Sequence, residues 1–472
     1  LPPPPTTYSY PGGKWWRVDF HTHTPHSDDY GHAAGPARDE VKAITPEQWL
    51  LKQMAWGLDA VVVTDHNGGA WVDKLKNAYE GLQLIGDAGF RELVIFPGVE
   101  ISTNNGVHLL AVFDPTEGSA KIEALLGAVG YRGTRGASDA VTTHSFEQCV
   151  AAIRDEDGLA IAAHVDVPKG LLHGSTGLSP TIAQALDAGV DSIEVRDWAA
   201  LPETLRKDRR LARLARVSGS DSHMPRDIGS NGFSRVHMTC ANIEGLRTAF
   251  ADGSPAAGES WSVRPVAADD TNDFNRWPSQ AFERITLTNL KFAGRVAPLS
   301  FPLHPRLNVL VGGRGSGKST FVHALRLATA RGREAEFPRF DDEGAPISGS
   351  PAGDFWNWAK QPADRNDDGV IGATSKIDVF FRAPAGPSSL HWETALLGNG
   401  ANTAAPVVHR EDGSDAGAYS PDRFPLSIYS QKQVLELCRR PEGLLGIIDR
   451  AQRVPELRRA FDQAVDAFKA TR

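Results

Sequence analysis

Two α/β domains in series are what the sequence predicts, the first with a parallel strand–helix architecture, barrel or open sheet. Three observations predict it. From about residue 14 to 245, short apolar, β-rich runs alternate with helical stretches. Parallel strands need a helix-length crossover, so this alternation is their signature. Residues 252–280 are rich in Pro, Gly, Asp and Asn and read as a linker. A second α/β pattern then begins at "RITLTNLKF" and runs on through "RLNVLVGGRGSGKSTFVHALRLA". The 472 residues suit two or three domains, at roughly 150 residues each.

Taken in order, residues 1–13 are Pro- and Gly-rich and read as an arm, and the first domain spans 14–251. Its strands are expected at "WRVDF", "DAVVVTDH", "ELVIFPGVEIS", "VHLLAVFD", "LAIAAHV", "DSIEV" and "RVSGSDS". Between them lie helices such as "TPEQWLLKQMAWG", where Thr45 is the N-cap, Pro46 the first helical residue and a glycine the stop. "SFEQCVAAIRDEDG" is a second such helix. The second domain spans 281–450, with a Gly/Pro/Asp-rich loop insertion at 331–375 and strands returning at "KIDVFF", "LHWETAL", "APVVHRED" and "LSIYSQ". From Pro455, apolar residues fall at Leu457, Phe461, Val465 and Phe468, the spacing of a helix and of an incipient coiled coil over 451–472.

Composition narrows the function. The chain is 41% hydrophobic and 23% charged, with a formal charge of −8. A general electrostatic attraction to nucleic acid is excluded, so any such contact needs a local basic patch. "LRKDRRLARLAR", residues 205–216, is one, although it equally fits a solvated helix face. Cys149, Cys240 and Cys438 are widely spaced and make no disulfide framework, which fits a reducing, cytoplasmic setting. No apolar run approaches the ~20 residues needed to span a bilayer. No signal peptide precedes the first domain, so no membrane partner is expected. The chain begins at Leu1 and stops inside a helical pattern, as a fragment would.

"DFHTHTPHSD", residues 19–28, places three histidines and two aspartates in ten positions. Residues two apart on a strand share a face, so His21 and His23 stand side by side where "WRVDF" ends. The same pattern recurs along the domain: His66 ends one apolar run, Glu100 another, and His108 starts the next. His164, Asp221 and His223 follow. In α/β barrels, strand ends at one face converge on the active site. With Asp28, or its neighbour Asp29, these make nine potential ligands, enough for two or three divalent ions. Imidazole mixed with carboxylate suits zinc, manganese or iron. Paired ions clamp a phosphoryl group and bring the pKa of a bound water toward neutrality, so no protein nucleophile is required. His144, Arg196 and Arg226 are phosphate contacts or simply structural; no residue stands out as general acid.

In order, "DFHTHT…SD", "TDHN", "GVEIST…H", "AHV" and "GSDSH" resemble the motifs of the PHP (polymerase and histidinol phosphatase) phosphoesterases. The resemblance covers roughly 15–245. It implies a distorted β/α barrel carrying a two- or three-metal site. "AHVD" stands where that family usually has His-Pro.

"GGRGSGKS", residues 312–319, fits G-x-x-x-x-G-K-[ST] between an expected strand, "NVLV", and an expected helix, "TFVHALRLA". Gly312, Gly315 and Gly317 let backbone N–H groups approach phosphates at a helix N-terminus. Lys318 would reach the β- and γ-phosphates of ATP, and Ser319, followed by Thr320, would hold Mg²⁺. This domain resembles the N-terminal lobe of ABC-type ATPases of the SMC and RecF kind, through "ITLTNLKF" and "IYSQKQ". The resemblance gives Gln431 a contact to Mg²⁺ or the attacking water. No Walker B strand end and no LSGG-type signature follow, so the lobe reads as an incomplete head that binds ATP and hydrolyses it poorly.

The two domains together, led by "KWWRVDFHTHTP", look like the TrlF-type PHP–ATPase fusions of bacteria. That likeness implies a metal-dependent nuclease under ATP control, nucleic acid as partner, an anti-phage role, and a homo-oligomer in the full-length protein. Two alternatives stand: a phosphatase for a small nucleotide or metabolite, and an SMC-like DNA-binding ATPase with a scaffold PHP domain.

Overall fold

A computed structural model of the chain describes residues 11–252, 260–332, 351–383, 386–394, 405–410, 413–418 and 426–430, with 433, 434, 438, 461, 463, 465 and 469. Most of the expected arm, most of the expected terminal helix over 451–472, and Gln431 lie outside the described residues. The chain divides into two compact units. One is Gly12–Arg276; the other is Trp277–Arg472 with Leu1–Pro11.

The first unit is a distorted, nearly closed barrel. Its strands are β1 (Lys14–Thr22), β2 (Ala60–Val63), β3 (Val94–Ser102), β4 (His108–Val112), β5 (Leu159–Ala162), β6 (Ser192–Glu194), β7 (Ala215–Val217), β8 (Phe233–Met238) and β9 (Val263–Val266). Their order in the sheet is β7-β6-β5-β4-β3-β2-β1-β8-β9. Closure comes from the chain beyond β7: Asp221 N–H donates to the His21 carbonyl at 2.7 Å, and His23 N–H donates to the Ser222 carbonyl at 3.1 Å.

The sheet is mixed rather than parallel. β1, β2 and β3 run parallel to one another, as do β5, β6 and β7, but β4 is antiparallel to both its neighbours, and β8 and β9 are also antiparallel. β4 is reversed because only residues 103–107 join it to β3, and that connection is too short for a crossover helix. "TNNGV" makes the hairpin turn, with Gly106 at φ +78°. β9 also lies inside the 252–280 stretch expected to be a linker, and it pairs with β8.

Both faces of the strands are buried, which is why runs such as "AVVV" are apolar without alternation. Val61 and Val63 pack under the outer helices with Leu50, Met54 and Leu75. Ala60 and Val62 point inward with Val18, Phe20, Phe96 and Leu110. Helix Pro46–Ala55 starts as expected, from a capping box in which Gln48 N–H donates to Thr45 Oγ1 and Thr45 N–H donates to Gln48 Oε1. Helix Ile243–Ala251 packs its Phe250 ring 5.8 Å from Phe20 and covers the inner core at one end.

The second unit carries an antiparallel sheet of six strands. They are β10 (Ala281–Leu290), β11 (Leu299–Pro302), β12 (Ile371–Ala383), β13 (Gly386–Glu393), β14 (Val407–Arg410) and β15 (Asp415–Ala418), in the order β11-β10-β12-β13-β14-β15. Helix Lys318–Ala328 shares a core with Ile285, Ile377, Val379 and Trp392 through Ala324 and Ala328. The strand expected at "NVLV" is absent: residues 307–311 join no ladder, and Leu307, Val309 and Val311 are 74%, 72% and 91% exposed. A strand needs a neighbour to accept its hydrogen bonds, and none of the described strands flanks this segment.

Closure of the barrel leaves no room at Gly219. A Cβ there would lie 2.5 Å from the His21 nitrogen and 2.6 Å from its Cβ. Gly219→Ala is expected to destabilise the barrel by about 1–3 kcal/mol through overpacking, seen as a lower midpoint for the barrel's transition in scanning calorimetry. An unchanged midpoint would contradict this closure.

Candidate metal centre

β1 reaches the site through a bulge. Asp19 pairs with Val61 and Thr22 with Val63, so Phe20 and His21 together oppose Val62. Val18 and Phe20 belong to the inner core, and after the extra residue His21 and His23 take the inward face. Bulges re-aim side chains in this way. β4, being reversed, brings its first residue, His108, to the end where the parallel strands bring their last. The carboxyl-terminal sides of β2, β3, β5 and β7 deliver His66, Glu100, His164 and the pair Asp221 and His223.

Glu100 stands at the middle. Its Oε2 lies 3.3 Å from His21 Nε2, 3.4 Å from His23 Nε2 and 2.9 Å from His66 Nδ1. Its Oε1 contacts His108 Nδ1 and lies 3.2 Å from His164 Nε2. Asp221 Oδ1 is 3.5 Å from His21 Nε2 and 3.3 Å from His23 Nε2. The His23 and His223 rings stack at 4.0 Å. His164 and Asp221 sit at φ +26° and +51°, backbone that non-glycine residues adopt at a cost and that functional sites retain.

Further groups hold these side chains in place. Glu194 Oε2 accepts from His21 Nδ1 at 2.8 Å and from His164 N–H at 3.0 Å, so His21 turns Nε2 toward Glu100. Ser27 Oγ lies 3.0 Å from His23 Nδ1 and donates to Asp65 Oδ1 at 2.8 Å. Asp65 also accepts from Thr24 N–H and Oγ1, so it anchors the loop after β1. Asp19 is fully buried, accepts from Ser220 N–H and Oγ, and burial pushes its carboxyl up to about 7 against those bonds. Such supporting partners fix the tautomer and orientation of a ligating imidazole. Sequence reasoning alone does not single out Glu194, although "DSIEV" places an acid at the end of an apolar run.

Imidazoles and carboxylates shift one another across the site: against burial, Glu194 holds the His21 imidazole well above its ordinary value and Glu100 raises His66 to about 10. Burial works against ionised Glu100, yet His108, His66 and His21 hold its carboxyl well below the usual range. Burial, and then His223 and His66, drive the His23 imidazole well below its ordinary value, so it is a neutral donor. His21 Nε2, His23 Nε2, His66 Nδ1, His108 Nε2, His164 Nδ1 and Glu100 Oε2 are buried and lack hydrogen-bond partners. Four triads place one ligand atom from each member within 4.8 Å: His23–His66–His223, His21–His23–Asp221, His21–Glu100–His164 and His66–Glu100–His108. Orphaned lone pairs converging from several strands fit divalent cations, and the donor set suits zinc, manganese or iron.

Eight of the nine expected ligands thus meet at this end of the barrel. Asp28 does not. Its carboxylate accepts from Ser138 N–H at 3.3 Å, and the adjacent Asp29 takes the place, 3.2 Å from His66 Nε2 and 3.4 Å from His223 Nε2. The turn after "THTPHS" decides which acid points inward: Ser27 N–H closes onto the Thr24 carbonyl and Asp28 N–H onto Gly136, facing Asp28 toward the neighbouring loop. Arg196 Nη2 donates to Asp221 Oδ2 at 2.6 Å, at the rim. Arg226 reaches the Ala33 carbonyl and is 66% exposed, and His144 Nδ1 lies 3.2 Å from Thr143 Oγ1 while its carbonyl accepts from Asn104 N–H.

In the other unit, Gly315 and Gly317 take φ +83° and +90°, and helix Lys318–Ala328 begins directly after them. Lys318 Nζ donates to the carbonyls of Gly312 and Gly313 at 2.6 and 2.7 Å. Ser319 is exposed and Thr320 half-buried. Buried Arg326 ties this helix to the Ile428 carbonyl and to Gln433 Oε1 at 2.9 and 3.0 Å. Among the described residues no helix is long and apolar enough to cross a membrane.

No family model and no curated protein sequence matches the chain. Solved structures do align with it. A lesion-specific endonuclease, EndoQ of Pyrococcus furiosus, is 15% identical over 75% of this chain and 74% of its own, with a TM-score of 0.37. A two-domain Bacteroides vulgatus protein containing a predicted PHP-like metal-dependent phosphoesterase is 12% identical over 63% and 86%, with a TM-score of 0.32. An SMC ATPase is 13% identical over 36% and 99%, with a TM-score of 0.22. Likenesses at this level carry no chemistry to this chain, whose own residues must supply it.

Two substitutions separate the neighbouring aspartates. Asp29→Asn is expected to lower metal content and weaken the affinity of what remains by roughly 10–100-fold, whereas Asp28→Asn leaves both unchanged. Elemental analysis after dialysis against a graded chelator reads both. The reverse order would return the ligand role to Asp28.

Proposed function

We propose that the chain is a divalent-metal-dependent phosphoesterase of PHP type that cleaves nucleic acid, joined to an ATP-binding lobe that controls it. The observation that carries this reading is the convergence of six imidazoles and the carboxylates of Glu100, Asp221 and Asp29 around unpartnered buried lone pairs. His21, His23, His66, His108, His164, His223, Glu100, Asp221 and Asp29 would hold two or three ions. Divalent ions there would supply Lewis acidity toward a phosphoryl oxygen and lower the pKa of water.

The chain's own part is positional. Glu194 and Ser27 set the His21 and His23 tautomers. Thr24 and Ser27 both donate to Asp65, which holds the loop after β1 against the cluster. Arg196, about a third exposed and braced on Asp221, offers its remaining N–H groups to phosphoryl charge at the mouth of the site. For the second unit, the positive-φ glycines and Lys318 at the helix start support binding of ATP with Mg²⁺. The likeness to TrlF-type fusions supports ATP control, a homo-oligomeric full-length protein and a bacterial anti-phage role. Free Cys149, Cys240 and Cys438 suit a cytoplasmic setting.

His21→Ala with His23→Ala is expected to remove bound metal and hydrolysis of bis-p-nitrophenyl phosphate together, and with them cleavage of DNA or RNA. Metal stoichiometry that survives in this double variant would end the assignment. Lys318→Ala is expected to abolish ATP binding in calorimetry while bis-p-nitrophenyl phosphate is still hydrolysed at the parent rate. Equal loss of both activities would mean one composite site.

A further inference from the structure

Away from the metal cluster, the barrel has a cavity of about 420 Å³. Its walls come from residues 186–191, just before β6, from residues 210–214, just before β7, and from the end of helix Ile243–Ala251. Those are the amino-terminal ends of parallel strands whose other ends lead to Glu194 and Asp221, so cavity and cluster occupy opposite ends of the barrel. Arg210, Arg213 and Arg247 face into it, and Phe250 and Leu214 form an apolar wall. A fourth arginine lies against the rim: a Cβ on Gly189 would meet Arg154 Nη1 at 2.1 Å.

The charges are only partly matched. Arg210 Nε pairs with Asp187 at 2.7 Å and Arg247 Nε with Glu244 at 3.1 Å. Asp191 accepts from Ala160 N–H at 2.8 Å. Arg213, exposed, and Arg154 have no ion pair within 4 Å among the described residues. Guanidinium groups converging beside an apolar wall match a planar ring bearing a phosphate: the fork takes the phosphate bidentately, and the wall takes the ring. The basic run at 205–216 is thus not merely a solvated face. Two of its arginines are gathered with one from a distant helix around a single concavity.

We infer that the cavity at the amino-terminal end of the barrel is a second, non-catalytic site for a nucleoside phosphate, held by Arg210, Arg213 and Arg247. The phosphate belongs either to a free nucleotide or to one residue of a nucleic-acid strand passing beneath the barrel. The inference does not depend on the reading of the metal cluster.

The test uses the full chain carrying Lys318→Ala, which removes nucleotide binding at the P-loop, with EDTA present so that strands stay intact. The probes are 5′-AMP and a single-stranded oligonucleotide of about 12 nucleotides. Arg213→Glu is the informative variant, because Arg213 is exposed and its removal strands no buried partner. Affinity for at least one probe is expected to fall roughly tenfold or more. If the strand is the ligand, the dependence of log affinity on log salt also flattens, by roughly 0.7 for each phosphate that the variant no longer neutralises. Loss for the oligonucleotide alone assigns a strand, and loss for 5′-AMP, with or without the oligonucleotide, assigns a nucleotide site. A calorimetric midpoint equal to the parent's reports an intact barrel. Should that midpoint fall, Arg213→Gln, which adds no charge, repeats the measurement. Unchanged affinity for both probes in a variant with the parent's midpoint overturns the inference.

Discussion

A buried carboxylate among imidazoles governs the first unit. Glu100 is 1% exposed, and both its oxygens are surrounded: three histidines approach Oε2 and two approach Oε1. An ionised carboxylate in an apolar barrel is tolerable only with compensating positive charge close by. The bulge in β1, the reversal of β4 and the left-handed backbone at His164 bring imidazoles to that one group.

Such an arrangement lowers the stability of the protein that carries it. Each buried polar atom without a partner costs roughly 1–3 kcal/mol, and several cluster here. Two layers of apolar packing, one inside the barrel and one beneath the outer helices, offset them. Bound cations would recover part of the cost, since groups that bind only the folded state stabilise it by mass action. The polar end and the apolar interior are thus parts of one energetic balance.

Much of this was legible in the sequence because its causes are local. Thr45, Pro46 and the apolar period marked a helix start that needs no distant partner. "HTHT", "TDH" and "SDSH" were visible because strand ends carry whatever chemistry a barrel has. What escaped depends on tertiary context. Asp28 and Asp29 are the same residue type side by side, and only the hydrogen bonds of Ser27 and Asp28 to Thr24 and Gly136 decide which one turns inward. Glu194 acts through His21, a contact across 173 positions that no spacing rule reports. "NVLV" has every property of a strand except a neighbour. β4 was readable as a strand, but its reversal went unread within the parallel expectation, although the five-residue "TNNGV" is too short for a crossover.

That hairpin also bears on the order in which the site forms. Glu100 and His108 are eight residues apart, on facing strands of a tight turn. Asp19 and Ser220, which lock the mouth near His21, are 201 apart. Closing the longer loop costs about 3 kcal/mol more in chain entropy, so in a nascent chain the hairpin can hold an acid and an imidazole together long before β1 meets the segment after β7. Two of the cluster's groups therefore belong to a short local unit, and the others join them only as the sheet closes.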